Sequence, residues 1–329
     1  MHGGWQKVVG VGAVVLALLV SALGAVPASA EAEPSKPLAV VATTGMIADA
    51  VRQVGGERVE VRALMGPGVD PHLYRQTSSD IAAMARADAV FWHGLYLEAQ
   101  LEDFFAALGK RKPVIALADT LPRDRLIEHD TYKGRFDPHV WMDPRLWAGV
   151  VTTAQDALVK LDPAGRAIYE ANAAAHLAQI EKLAVYAETA FASVPEEARV
   201  LVTAHDAFNY FGRAYGYDVL GIQGISTDSE AGLKQIEHLV DTLVQRKIGA
   251  IFVESSVSDR NVRALIEGAA ARGHKVVIGG ELYSDAMGAP GTYEGTYIGM
   301  IDHNVTVITR ALGGEAPAKG LNDRLAARN

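Results

Sequence analysis

Seven apolar residues, Tyr169, Ala173, Leu177, Ile180, Leu183, Ala187 and Phe191, recur at steps of three and four. Such a stripe lies along one face of an α-helix. Pro163 suits a first helical turn, where its missing N–H costs nothing, and Val194-Pro195 ends the run. The pattern predicts one helix over Pro163–Ser193, about 30 residues and roughly 45 Å long. A rod of that length is out of scale with a compact α/β lobe. It suits a strut spanning two lobes.

Strand and helix patterns alternate on both sides of the strut. Before it, Leu38–Thr43, Val59–Met65, Ala89–Trp92 and Pro113–Leu117 read as strands. Helical stretches start at Met46, run from a Ser78-Ser79-Asp80 cap to Ala87, and cover Arg145–Leu161. After it, Val200–Thr203, Asp218–Gly221, Ile248–Val253 and Lys275–Ile278 read as strands. Phe208–Tyr215, Ala231–Arg246, Asp259–Arg272 and Gly295–Leu312 read as helices, and the tail beyond Gly313 reads as frayed. Strands alternating with helices imply βαβ units and parallel sheets. The expected fold class is therefore α/β, two βα lobes joined by one long rigid helix. The expected division is a signal peptide over 1–30, an N-terminal lobe over 31–162, the linking helix over 163–193 and a C-terminal lobe over 194–329.

The leader expectation rests on Lys7, the apolar run Val8–Val26 and the small-residue cleavage site Ala28-Ser29-Ala30. The 329 residues contain no cysteine. Disulfides, thiolate metal sites and cysteine nucleophiles are thereby excluded, and a diacylglyceryl-cysteine anchor is not expected. Export without a lipid anchor points to the periplasm. A formal charge of −8 with no basic run argues against a nucleic-acid surface.

Asp-Pro-His occurs twice, at Asp70-Pro71-His72 and Asp137-Pro138-His139. Proline fixes its own φ and restricts the residue before it, so each copy holds an imidazole on a stiff turn. Ligands of open α/β sheets sit beyond the carboxyl ends of strands. His72 and His139 occupy such loops, His205 follows Val200–Thr203 directly, and Asp285 follows Lys275–Ile278. Three imidazoles and one carboxylate suit a divalent first-row metal, and four protein ligands suit holding an ion rather than activating water. Asp70, Asp137 and Asp206 are candidate acceptors behind these groups. A lone loop histidine is usually just exposed, and His93, His129, His176, His238, His274 and His303 are read that way. HExxH, GxSxG, P-loop and GxGxxG motifs are absent. Three rivals stay open: a zinc hydrolase with Glu254 or Asp206 as base, a receptor for an organic iron complex or corrinoid, and a metallochaperone without an importer.

The segments VATTGMIADAV, MGPGVDPHLY, FDPHVWMDP, LVTAHDAFNYFGRAYG, GIQGISTDSEAG, IFVESSVS and ELYSDAMG follow in order along nearly the whole chain after residue 30. With them the sequence resembles the metal-binding solute-binding proteins of bacterial zinc- and manganese-type ABC importers. The resemblance implies a metal site in the cleft between two lobes bridged by a long helix. It places the family's ligands on His72, His139, His205 and Asp285, the third being a position where many manganese-type members carry glutamate. It implies no enzymatic activity, an ABC permease and its ATPase as partners, a monomeric receptor, and Zn²⁺ or Mn²⁺ as cargo. The third imidazole favours zinc, while the histidine-rich insert of many zinc-specific members is absent before His139. Because imidazole must lose its proton to bind, affinity is expected to weaken below about pH 6.5.

Overall fold

Leu38–Ala42 (β1) is an apolar, β-branched run buried toward its C-terminal end, as the central strand of a parallel sheet must be. Val59–Ala63 (β2) pairs on one side of it and Ala89–Trp92 (β3) on the other, with Val114–Ala116 (β4) beyond. The order is β2-β1-β3-β4, all parallel. Later in the chain, Val200–Thr203 (β5) pairs with Asp218–Gly221 (β6), and Ala250–Glu254 (β7) with Val277–Leu282 (β8), again in parallel. β5 lies beside β7. Parallel pairing sends the carboxyl ends of the strands in each sheet to one edge, where the loops of interest begin. The computed structural model describes residues 1–10, 36–129 and 132–326, and most of the expected signal peptide lies outside the described residues. Among the described residues no helix is long and apolar enough to cross a membrane.

The helices are Gly45–Gly55 (α1), Ser78–Arg86 (α2), Glu102–Leu108 (α3), Pro144–Leu161 (α4), Arg166–Ala192 (α5), Asn209–Tyr215 (α6), Leu233–Gln245 (α7), Arg260–Ala271 (α8) and Tyr297–Ala311 (α9). The cap of α2 sits one residue earlier than the sequence suggested. Thr77 accepts from the Asp80 backbone while Asp80 accepts from the Thr77 backbone at 2.8 Å, a reciprocal capping box. The short α3 was not anticipated. β8 runs four residues further than expected, through Gly279-Gly280. A Cβ at Gly279 would meet the Phe252 ring at 2.9 Å, and one at Gly280 would meet Val307 at 2.4 Å, so the glycines mark close packing rather than a strand end. Over its described residues, 314–326, the tail is tethered rather than frayed: the buried Asp302 carboxylate accepts from the Leu321 backbone at 2.8 Å.

The expected strut is α5, 27 residues after a 3-10 turn at Pro163–Gly165. Its buried face includes Tyr169, Ala173, Ile180, Leu183, Ala187 and Phe191, as the stripe requires, with Leu177 partly buried. α1 and α4, which precede it, pack against it, and so do α6 and α9, which follow. His176 also lies on this face and is buried, which corrects the exposed reading. One polar link reinforces the arrangement. Asp49 of α1, itself buried, accepts at 2.9 Å from the backbone of Tyr297, the first residue of α9. It supplies both an acceptor and a negative charge to a helix N-terminus.

Replacing Asp49 with alanine leaves that donor buried and unanswered. The expected loss of stability is about 2 kcal/mol in denaturant unfolding. Removing the exposed Arg166–Glu170 pair on α5 is expected to cost less than about 0.5 kcal/mol. Equal effects from the two substitutions would contradict the role given to Asp49.

Candidate metal centre

The two Asp-Pro-His turns form the first half of the site. Gly68 enters the first turn with φ +69°, and a Cβ there would stand 3.3 Å from the Ser255 carbonyl, so glycine alone fits without strain. Asp70 accepts from the His72 backbone at 2.8 Å, and Asp137 accepts from the His139 backbone at 2.9 Å. The repeated tripeptide thus makes the same local device twice: an aspartate cradles the N–H of the histidine two residues on. His205 comes from the turn after β5 and Asp285 from the loop after β8.

One ligand-type atom from each of His72, His139, His205 and Asp285 lies within 4.8 Å of all the others. His72 Nε2 is 3.3 Å from His139 Nε2 and 3.6 Å from Asp285 Oδ2. His139 Nε2 is 3.4 Å from Asp285 Oδ1, and His205 Nε2 is 3.1 Å from Asp285 Oδ2. His139 and His205 are 0 % exposed, Asp285 2 % and His72 5 %. Neither oxygen of Asp285 has an aligned hydrogen-bond partner, and nor does His205 Nε2. Buried polar atoms are normally paired, and these four groups converge on one spot with neither Asp285 oxygen nor His205 Nε2 in an aligned hydrogen bond, an arrangement suited to something placed between them.

Carboxylates stand behind two of the imidazoles. Asp137 accepts from His139 Nδ1 at 2.7 Å, and Glu254, at the end of β7, accepts from His205 Nδ1 at 2.5 Å and from its backbone N–H at 2.9 Å. Each bond fixes the ring so that Nε2 faces inward. Burial opposes charge on His139, but Asp137 and Asp285 outweigh it and lift the imidazole to about 9. Burial likewise opposes charge on His205, yet Glu254 and Asp285 hold it well above its ordinary value. Burial would raise Asp285, but His205 and His139 hold it well below the usual carboxylate range. His72 has no carboxylate on Nδ1 among the described residues, and burial, the largest influence, pushes it down to about 3.

The four candidates from the sequence are therefore brought together, and of the three acceptors Asp137 takes the expected place. Asp70 holds only the backbone of His72, its other oxygen accepting from Thr227 Oγ1 at 2.6 Å. Asp206 bonds no imidazole; Glu254, 49 residues from His205, takes that part. A lone carboxylate closing the apolar run Ala250–Glu254 is the signal that marks it. His93 is buried rather than exposed. Burial pushes it down to about 3, so it is neutral, and its Nε2–H donates to the Pro138 carbonyl at 2.7 Å, bracing the second turn from behind. His303 is also buried, against the Glu281 carbonyl, whereas His129 and His274 are half-buried and His238 is exposed as expected. The Trp141 Nε1–H donates at 2.8 Å to the carbonyl of Ser284, directly before Asp285.

Residues 40–311 match the family described as ZnuA, zinc-uptake complex component A, periplasmic. The manganese-binding lipoprotein MntA of Bacillus subtilis is 46% identical over 284 residues, 86% of this chain and 92% of that protein. The zinc-binding protein TroA of Treponema pallidum is 46% identical over 281 residues, 85% of this chain and 90% of that protein. The solved structure of the periplasmic zinc-binding protein TroA superposes with a TM-score of 0.82, covering 84% of this chain and 99% of that one. With a family match across most of its length, a relative of nearly half-identical sequence and a shared fold, the chain belongs to the ZnuA family of metal-uptake components.

Proposed function

We propose that this chain is an exported, periplasmic substrate-binding protein that captures one divalent transition-metal ion, zinc or manganese, and hands it to an ABC permease and its ATPase. It acts as a monomer, with lobes over 31–162 and 194–329 on either side of a linking helix over 163–193. The ion is cargo, and His72, His139, His205 and Asp285 are its ligands. The observation that carries the reading is the spacing of the inward-facing atoms. Four ligands at ~2.0–2.1 Å from a tetrahedral ion stand about 3.3–3.4 Å apart. The nearest contacts of the Asp285 carboxylate, through Oδ1 to His139 and through Oδ2 to His72 and His205, run from 3.1 to 3.6 Å, and one atom from each of the four residues lies within 4.8 Å of the others.

The donor set supports zinc somewhat more than manganese, because a third imidazole replaces the oxygen donors that manganese favours. The names of the relatives do not separate the two, one being manganese-binding and another zinc-binding at the same identity. A hydrolase reading is weakened on two counts. Four protein ligands leave no place for an activated water. Glu254, the imagined base, is committed through both oxygens to His205.

Two expected outcomes follow from this site. Alanine at any of the four ligand positions lowers zinc affinity by more than about 100-fold in competition against a chelating dye, and Glu254→Ala lowers it about 10- to 100-fold by freeing the His205 ring. Unchanged affinity in the ligand variants would remove the assignment.

The second concerns protons. A protonated imidazole cannot coordinate, so an ion must displace the protons that neighbouring carboxylates hold on His139 and His205. His72, already neutral, releases none. Calorimetry in buffers of different ionisation enthalpy is expected to show about two protons released per ion at pH 7. Affinity should keep rising with pH to about 9, a higher window than the imidazole reference value alone suggests. Affinity independent of pH between 6 and 8 would contradict histidine ligation.

A further inference from the structure

Three of the four inward-facing groups are closed off, but His72 is the most exposed of them. It is also the one of the four that lines a cavity of ≈ 490 Å³. Tyr96, Pro138, Ile225, Ser226 and Asp228 are among the other walls of that cavity. His72 is held differently from the other two histidines. His139 and His205 are fixed through ring Nδ1 by Asp137 and Glu254, whereas the turn of His72 is fixed only through its backbone, by Asp70.

Asp70 has a second tie. Its other oxygen accepts from Thr227 Oγ1 at 2.6 Å, across 157 residues of sequence. Thr227 sits in the segment after β6 that forms one wall of the cavity, and it is the one buried residue between Gly224 and Glu230. The segment is braced from its own side, with the Gln223 amide donating to the Thr227 and Ser229 carbonyls at 3.3 and 3.1 Å. The Asp70–Thr227 bond is thus a side-chain link from the His72 turn to the opposite wall. It lies beside the most accessible ligand and touches none of the ion-facing atoms.

We propose, on the metal-receptor reading above, that Asp70 and Thr227 form a latch: the hydrogen bond between them sets how fast the ion leaves past His72, without changing which atoms hold it. With the bond made, the wall and the turn stay together and His72 cannot swing away. With it broken, the turn and the segment separate and the least anchored ligand detaches first. Both residues are positioning residues.

The test uses full-length protein loaded with zinc and mixed with excess EDTA, with release followed by a zinc-sensitive dye. Thr227→Val keeps the shape and removes the donor. It is expected to bind one ion per chain, to give the wild-type absorption spectrum with Co²⁺, and to release zinc about tenfold faster. Thr227→Ser restores the hydroxyl and should return the rate to that of the wild type. Thr227→Ala serves the same comparison should the valine variant fail to fold. Equal release rates from fully loaded Thr227→Val and wild type would overturn the latch alone, as would an altered Co²⁺ spectrum in the variant. A wild-type chain that takes up no stoichiometric zinc would overturn the receptor reading and the latch with it.

Discussion

A buried carboxylate is among the most expensive things a fold can contain unless positive charge is supplied beside it. Asp285 is in that position, 2 % exposed and surrounded by imidazole nitrogens. The cost is tolerable only if positive charge is supplied at the same spot. Much of the architecture serves to supply it. Parallel strands gather their carboxyl ends, stiff Asp-Pro-His turns fix two rings, and carboxylates behind His139 and His205 keep those rings facing inward. The pocket accepts protons or a dication because it carries a deficit of positive charge, not because it contains a cavity of a given size.

Such a pocket is precise only if the parts that precede α5 and those that follow it keep their relative position. The links are polar and mostly buried. Trp141, two residues past His139, donates to the carbonyl beside Asp285. Asn209 of α6 donates at 3.0 Å to the same Asp137 that orients His139, and Tyr210 donates at 2.7 Å to the Asp137 carbonyl. Asp49 ties α1 to the start of α9, and Tyr297 donates at 2.9 Å to the Trp141 carbonyl. Together with α5, which packs against helices before and after it in the chain, these bonds tie the two parts to each other.

Much of this was legible in the sequence because it is local. The stripe of α5 has helical period, the apolar runs have strand length, and Asp-Pro-His states its own turn. The ligand candidates were legible from position, each on a loop beyond a strand end. What was hidden is what depends on pairing across the chain. Proximity in sequence offered Asp206 as the acceptor for His205, but the bond to His205 Nδ1 is made by Glu254, which arrives from a neighbouring strand. His93 and His176 looked ordinary because burial is a tertiary property. Gly279-Gly280 read as a strand end because the sequence does not show Phe252 and Val307 pressing on that backbone.

X-ray absorption at the metal edge of the zinc-loaded, full-length protein tests the central claim most directly. The account predicts a four-coordinate shell of three imidazole nitrogens and one carboxylate oxygen at ~2.0–2.1 Å, with the multiple-scattering signature of imidazole. A six-coordinate shell of oxygens, or one that retains wild-type imidazole scattering after His72, His139 and His205 are all replaced, would contradict it.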